Sequence, residues 1–363
     1  MTFSSQARQL LFVAPPIGPL GSGLGGGVEL TMLNVAHELR RRNYLVTVVA
    51  ACGAKLSKDI PVVEIPGKLQ STAHTQSRET PVTLPDNAVL ANMWHYVQDN
   101  QDQADLIVNF AYDWLPLYLT PFLIKPLAHF ITMGSLNNVM DTAVSKVAGY
   151  ETNLLGCYTR TQAKTFPCPE AFHCLGSAIQ LEQYQFCANP GPAVAWLGRI
   201  SPEKGVEDAL AATQRAGIPL KIMGKLEDKA YWQRICKAFP HAPETYLGFL
   251  STEQLQAILR ECRALIMTPR WVEAFGNVAI EALACGVPVV SYARGGPAEI
   301  VINGLTGWLV PSDDVDALTD ALQNIDQLDR QACRQQAADT YSLRSLGDRF
   351  EAWFKKILAA PQR

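Results

Sequence analysis

A chain of 363 residues that is 48% hydrophobic and 18% charged, with a formal net charge of -3, can hold two domains with separate cores. It lacks the basic excess that a nucleic-acid partner requires. Its nine cysteines, at 52, 157, 168, 174, 187, 236, 262, 285 and 333, include no C-x-x-C pair, so no zinc site or disulfide framework is legible and a reducing cytoplasm is expected.

Strand-like apolar runs alternate with helical patterns along most of the chain, as in α/β proteins with parallel sheets. The first run, "QLLFVAPP", reads as a buried strand. It is too short for a signal peptide and lacks a small-residue cleavage signature. Six glycines then fall within residues 18–27, and Gly21, Gly23 and Gly26 form a nominal G-x-G-x-x-G. The helix that follows carries Met32, Val35, Ala36 and Leu39 on one face, with Glu29 in its first turn and Arg40, Arg41 and Arg42 at its end. That charge order complements the helix dipole.

A dinucleotide fingerprint needs a tight strand-to-glycine turn and an acid about 20 residues further on. Here "IGPL" lengthens the turn, and no acidic residue lies between Glu38 and Asp59. A nicotinamide enzyme is therefore disfavoured. The glycines are better read as clearance that lets backbone amides approach an anionic or bulky ligand.

"YLVTVVA" is the second strand, and residues 53–87, with Pro61, Pro66, Pro81 and Pro85, are loop-rich. "ADLIVNF" and "AHFITMG" are strands, and "GCYTRTQAKTF" is a strand entering a helix. The window from Trp114 to Gly134 is broken by Lys125 and three prolines, so no membrane span is expected, although peripheral membrane contact stays open. "QYQFCANPGP" reads as a linker, after which "AVAWLGR", "LKIMG", "ALIMTP" and "VPVVSYA" open a second series. The expected division is residues 1–185, residues 186–342, and a last helix in 343–363 packing back on the first domain.

Within 264–292 a strand ends at Thr268-Pro269, a loop carries Glu273, and a helix runs from about Gly276 to Cys285-Gly286, with Glu281 in its second turn. Two carboxylates at a helix start can accept hydrogen bonds from vicinal hydroxyls, while the amides of Phe275, Gly276 and Asn277 receive a phosphate or sugar oxygen. Alone, such a pair reads more often as a solvated face with a favourable dipole interaction. Asp314 and Asp316 form a D-x-D, but they open a helix after Pro311 and are read as capping residues, so no metal is expected.

The segment "PRWVEAFGNVAIEALACGVPVVSYARGGPAEIVINGLTGWLV" resembles the donor-site signature of family 4 retaining glycosyltransferases, with its E-x7-E motif. "WLGRISPEKGVEDAL" and the N-terminal glycine loop match that family in the same order. The resemblance implies the GT-B fold, two Rossmann-like domains with parallel sheets facing across a cleft, and a metal-independent hexosyltransferase without a cofactor. It implies that Glu281 binds the nucleotide ribose, that Glu273 faces the donor sugar, and that Arg199 and Lys204 neutralise the diphosphate. Gly198 and the amides of Phe275, Gly276 and Asn277 would complete the donor site. Gly25, Gly26 and Gly27 would approach from the other domain.

The family's N-terminal-domain histidine is replaced by Met133, with Ser135 or Asn137 as substitutes, and Asn109 and Asp113 stand where histidines are frequent. His129 is read as a core residue. With this departure, the phrase "GPLGSGLGGGVELT" is similar to cyanobacterial transferases that place glucose from UDP-glucose on tetrahydrobiopterin or a related pterin. Met133, Ser135, Asn109 and Asp113 are then candidate acceptor contacts. Tyr112, Trp114, Trp94 and His95 are candidates to stack on a flat ring. The alternatives are transfer to a lipid-linked sugar or polysaccharide, and a nucleotide-sugar binder without turnover.

Overall fold

The computed structural model describes residues 7–22, 26–55, 59–71 and 78–360, which form two compact units. The first comprises the chain up to Ser177 together with Leu343–Arg363, and the second is Ala178–Ser342.

The first unit is built on β1 (Gln9–Val13), β2 (Leu45–Ala51), β3 (Val62–Ile65), β4 (Leu106–Asn109), β5 (Leu127–Ile131), β6 (Leu155–Cys157) and β7 (Phe172–Cys174). They form one parallel sheet in the order β3-β2-β1-β4-β5-β6-β7. Every residue of β4 and β5 is buried, which is why these strands read as unbroken apolar runs. The helix Gly26–Arg41 follows β1 and buries Met32, Val35, Ala36 and Leu39.

The second unit has β8 (Val194–Leu197), β9 (Leu220–Met223), β10 (Leu265–Met267), β11 (Val289–Tyr292) and β12 (Gly307–Val310). These are parallel, in the order β12-β11-β10-β8-β9. Trp196, Ile222, Ile266, Val290 and Tyr292 belong to its core.

The loop-rich 53–87 segment also contains β3. One expectation needs correction. "QYQFCANPGP" is not a free linker: Tyr184 is buried, its carbonyl accepts from Arg334 at 2.7 Å, and the carbonyl of Cys187 accepts from Arg330 at 2.7 Å. Proline and glycine there mark irregular backbone that side chains of the second unit tie down. The chain accordingly divides after Ser177, ahead of the expected 185.

The last helix, Leu343–Ala359, buries Leu346, Phe350, Trp353, Phe354 and Ile357 in the first unit. Phe350 and Phe354 meet Phe130 and Phe12 with ring centroids 5.2 and 6.4 Å apart. Arg42 does more than complement a helix dipole. It pairs with Glu38 at 2.9 Å, Glu351 at 2.8 Å and Asp348 at 2.7 Å. Hydrogen bonding from Arg41, seconded by Arg42, holds the Glu38 carboxyl below its usual range despite its burial.

Candidate functional site

The motif residues fall on two units, and each group is described within its own. In the second unit they gather where β8, β9 and β10 end, the edge at which parallel α/β sheets bind ligands.

The loops after β8 and β10 are locked together. Gly205 is left-handed at φ 62°, and a Cβ there would overlap the Thr268 carbonyl. Thr268 donates its hydroxyl to the Lys204 carbonyl at 3.0 Å, and the Arg270 amide donates to the Glu203 carbonyl at 2.9 Å. This register brings the Lys204 ammonium against the Glu273 carboxylate. Trp271 Nε1 donates to the same Glu273 oxygen at 3.1 Å, and Lys204 Nζ lies 5.1 Å from the centroid of the Trp271 ring. The Lys204 and Glu273 side chains are only 20% and 14% exposed. Arg199 pairs with Glu203 at 3.1 Å, and the Ser201 hydroxyl donates to Glu203 at 2.7 Å. Gly198 sits so close to Gly224 that a Cβ on Gly224 would overlap the Gly198 carbonyl.

The 273–276 turn rests on two glycines that sequence reasoning did not single out. The Gly296 amide donates to the Glu273 carbonyl at 2.7 Å. A Cβ on Gly296 would strike the Phe275 carbonyl, and Gly295 at φ 70° faces the Glu273 backbone. Gly276 at φ 96° then caps the helix Asn277–Ala284. A helix start leaves its first amides without intrahelical partners. Asn277 Oδ1 is also buried without a hydrogen-bond partner among the described residues.

Glu281 lies one turn deeper and accepts a hydrogen bond from the Tyr184 hydroxyl at 3.3 Å. Desolvation by surrounding protein pushes its carboxyl up to about 7, against a smaller lowering by Tyr184. The arrangement offers a hydroxyl-binding acid, two cations and a helix N-terminus, which together suit a diphosphate attached to polyol groups. Asp314 caps the helix Val315–Gln323 by accepting from the Ala317 amide at 2.9 Å, while Asp316 pairs with Arg215 at 2.5 Å.

In the first unit, Gly26 and Gly27 start the helix Gly26–Arg41, with Gly26 at φ 55°. Gly23 and Gly25 lie outside the described residues. Glu29 is buried and accepts from the Gly21 amide at 2.5 Å.

The acceptor candidates separate. Asn109 is fully buried, accepts from the Ala111 amide at 3.0 Å and donates to the Ala111 carbonyl at 2.9 Å. It is therefore a framework residue and not a ligand contact. His129, 3.3 Å from Asn109 and 2.9 Å from the Thr120 hydroxyl, is wholly buried, which drives its pKa down to about 3. Ser135 is engaged by its own surroundings: its hydroxyl donates to Asp141 at 2.8 Å and accepts from Arg78 at 2.5 Å. The Met133 carbonyl accepts from Gln162 at 2.8 Å.

Asp113 differs from these. It lines a cavity of about 250 Å³ with Gln70, Thr83, Tyr112, Trp114 and Asn137. Of the aromatic candidates, Tyr112 and Trp114 line it too, whereas Trp94 is a core residue at 2% exposure and exposed His95 lies outside it. Among the described residues no helix is long and apolar enough to cross a membrane.

Residues 188–340 match the family model described as "Glycosyl transferases group 1". The chain is 36% identical over 177 residues to glycogen synthase of Mycobacterium tuberculosis, covering 45% of this chain and 41% of that protein. It is 33% identical over 138 residues to 2-deoxystreptamine N-acetyl-D-glucosaminyltransferase of Streptomyces fradiae, covering 36% and 32%. The chain thus spans less than half the length of these curated relatives. Anabaena HepE, solved in complex with UDP and glucose, superposes with a TM-score of 0.73 at 17% identity over 96% of this chain and 99% of that one. Sucrose-phosphate synthase from Thermosynechococcus elongatus gives 0.76 at 16% identity over 98% and 100%. The protein has the GT-B fold of two Rossmann-like α/β units, and the match to the glycosyl transferases group 1 model falls within the second of them.

Proposed function

We propose that the protein is a retaining glycosyltransferase that moves glucose from UDP-glucose to a pterin such as tetrahydrobiopterin, in a reducing cytoplasm. The observation that carries the transferase reading is the union of Lys204, Glu273 and Trp271 by the loops after β8 and β10. That union lies beside a helix that bears Glu281 in its second turn. HepE, of the same fold, is a protein solved with UDP and glucose, which supports a nucleotide-sugar donor here.

In this reading Glu281 accepts hydrogen bonds from the ribose hydroxyls. Arg199, Lys204 and the first-turn amides of the helix Asn277–Ala284 receive the diphosphate. Their fixed positive charge stabilises the nucleoside diphosphate as it leaves, and this charge does the neutralising that a metal would otherwise supply. Glu273 exchanges Lys204 for hexose hydroxyls. An acceptor hydroxyl forms its bond to the anomeric carbon from the face on which the bond to the diphosphate breaks. A diphosphate oxygen takes the hydroxyl proton, and the configuration is retained.

A second reading, transfer to a lipid-linked sugar, is favoured by the exposed Tyr118, Phe122 and Ile124 at 50%, 62% and 73%. A matrix of nucleotide sugars against pterins, lipid-linked sugars and simple sugars, read by mass spectrometry, tests both. The proposal expects α-linked glucose on a pterin together with free UDP. Glucose on a lipid-linked sugar alone would favour the second reading. UDP-glucose binding without transfer to any acceptor would leave a nucleotide-sugar binder.

A further inference from the structure

The cavity of the first unit presents a carboxylate without a cation partner and an orphan amide oxygen. Asp113 Oδ1 accepts from the Leu115 amide at 3.1 Å, and the Trp114 amide also bonds to the carboxylate, but no cation pairs with it among the described residues. Burial accordingly raises its pKa. Gln70 Oε1, on the facing loop, is buried with no hydrogen-bond partner among the described residues. A buried acceptor left unsatisfied is costly, so an orphan oxygen in a lined cavity points to a ligand that supplies the donor.

The donors of Asn137 and Tyr112 are directed elsewhere. Asn137 Nδ2 donates to the Thr80 carbonyl at 2.6 Å, and the Tyr112 hydroxyl donates to the Gly134 carbonyl at 3.1 Å. One wall is flat and apolar, the Trp114 indole, whose other stacking partner is Tyr118 with centroids 4.5 Å apart. The complementary ligand is a flat ring with N–H donors side by side on one edge. A 2-amino-4-oxopyrimidine edge has that form. Its exocyclic amine and ring N–H meet a carboxylate in two parallel hydrogen bonds, as a guanidinium does.

We propose that Asp113 is the specificity residue for the acceptor and takes this donor pair, while Gln70 receives a further N–H of the same ring and Trp114 stacks on its face. The inference rests on the pterin reading given above and assigns that acceptor to a cavity wholly within the first unit.

Asp113→Asn tests it without removing the cap of the helix Trp114–Leu119, because asparagine caps as well as aspartate. The variant replaces one acceptor by a donor. It then clashes with a 2-amino group and complements a 2-oxo group. Binding titrations and transfer assays would use the full-length protein with tetrahydrobiopterin and its 2-oxo (lumazine) analogue. The wild type is expected to prefer the pterin. Asp113→Asn should weaken the pterin by about 10–100-fold and reverse the preference, leaving the KM for UDP-glucose unchanged. Asp113→Ser, which also caps, should lose the pterin without gaining the analogue.

If the wild type binds the pterin and Asp113→Asn keeps the same pterin-to-lumazine ratio, the assignment of Asp113 is overturned while the acceptor reading stands. If the wild type neither binds nor glucosylates the pterin, the acceptor reading falls and the assignment falls with it.

Discussion

The Tyr184 hydroxyl donates to the Glu281 carboxylate across 3.3 Å, linking the segment before β8 to the helix Asn277–Ala284. Desolvation of that carboxylate raises its pKa from 4.5 to about 7. Ribose hydroxyls donate best to the ionised form, so affinity for UDP-glucose should rise as pH climbs through about 7 and then level. UDP-glucose suits the titration because its diphosphate, esterified at both ends, does not titrate there. Glu281→Gln should bind more weakly and show no such step. Calorimetric titration across the pKa would read both, and an identical pH profile in the variant would remove Glu281 from the ribose.

The same shift bears on stability. A carboxyl whose folded pKa lies above its unfolded value holds its proton longer when folded. Its contribution to the unliganded protein is therefore fully present below pH 4.5 and is lost as pH rises through about 7. Thermal melts over that window should show the wild type losing stability that Glu281→Gln keeps. Parallel slopes in the two proteins would count against a desolvated carboxyl.

Lys204 contacts Glu273 and lies over Trp271 in this state, and in turnover it is assigned to the leaving diphosphate. Removing one preorganised group that stabilises developing charge costs about 10²–10³-fold in kcat. Lys204→Ala should fall in that range, with little change in the KM for the acceptor. Steady-state release of UDP would measure it, and a change confined to KM would assign Lys204 to ground-state binding.

Gly296 lies so close to the Phe275 carbonyl that any side chain must displace the 273–276 turn. Gly296→Ala should cost about 2 kcal/mol and lower the melting temperature by about 4–8 °C. It should also weaken UDP-glucose binding, because the turn positions Glu273. Differential scanning calorimetry with and without UDP-glucose would separate the two effects.

Trp353 is 1% exposed, covers Gly156 and donates its indole N–H to the Asn153 carbonyl at 2.6 Å. Trp353→Ala should cost about 3–5 kcal/mol, and amide exchange should rise in β6 and in the helix Leu343–Ala359. Unchanged exchange there would contradict the docking of that helix.

The central strands were legible because strands buried on both faces are continuous apolar runs. β3, β7 and β12, three of the four edge strands, escaped because they are short and partly exposed, β3 having no buried residue, whereas the fourth, β9, buries three of its four residues and was legible. Glu273 and Glu281 were singled out by the resemblance of the whole E-x7-E segment to a donor signature, since the pair alone reads more often as a solvated face. Tyr184, Trp271, Glu203 and the Gly295-Gly296 pair were not, since their roles arise from contacts between separate loops. Asn109 misled because a polar residue at a strand end looks available, yet its amide folds back on Ala111. Arg42 misled similarly, its distant partner Glu351 being invisible to a local dipole argument.

The central claim is that the second unit holds the donor through Glu281, Arg199 and Lys204. A crystal structure with UDP-glucose bound tests it most directly. The account predicts ribose hydroxyls on the Glu281 carboxylate, with the diphosphate between Lys204, Arg199 and the start of the helix Asn277–Ala284. A nucleotide bound elsewhere, with Glu281 still bonded only to Tyr184, would contradict it.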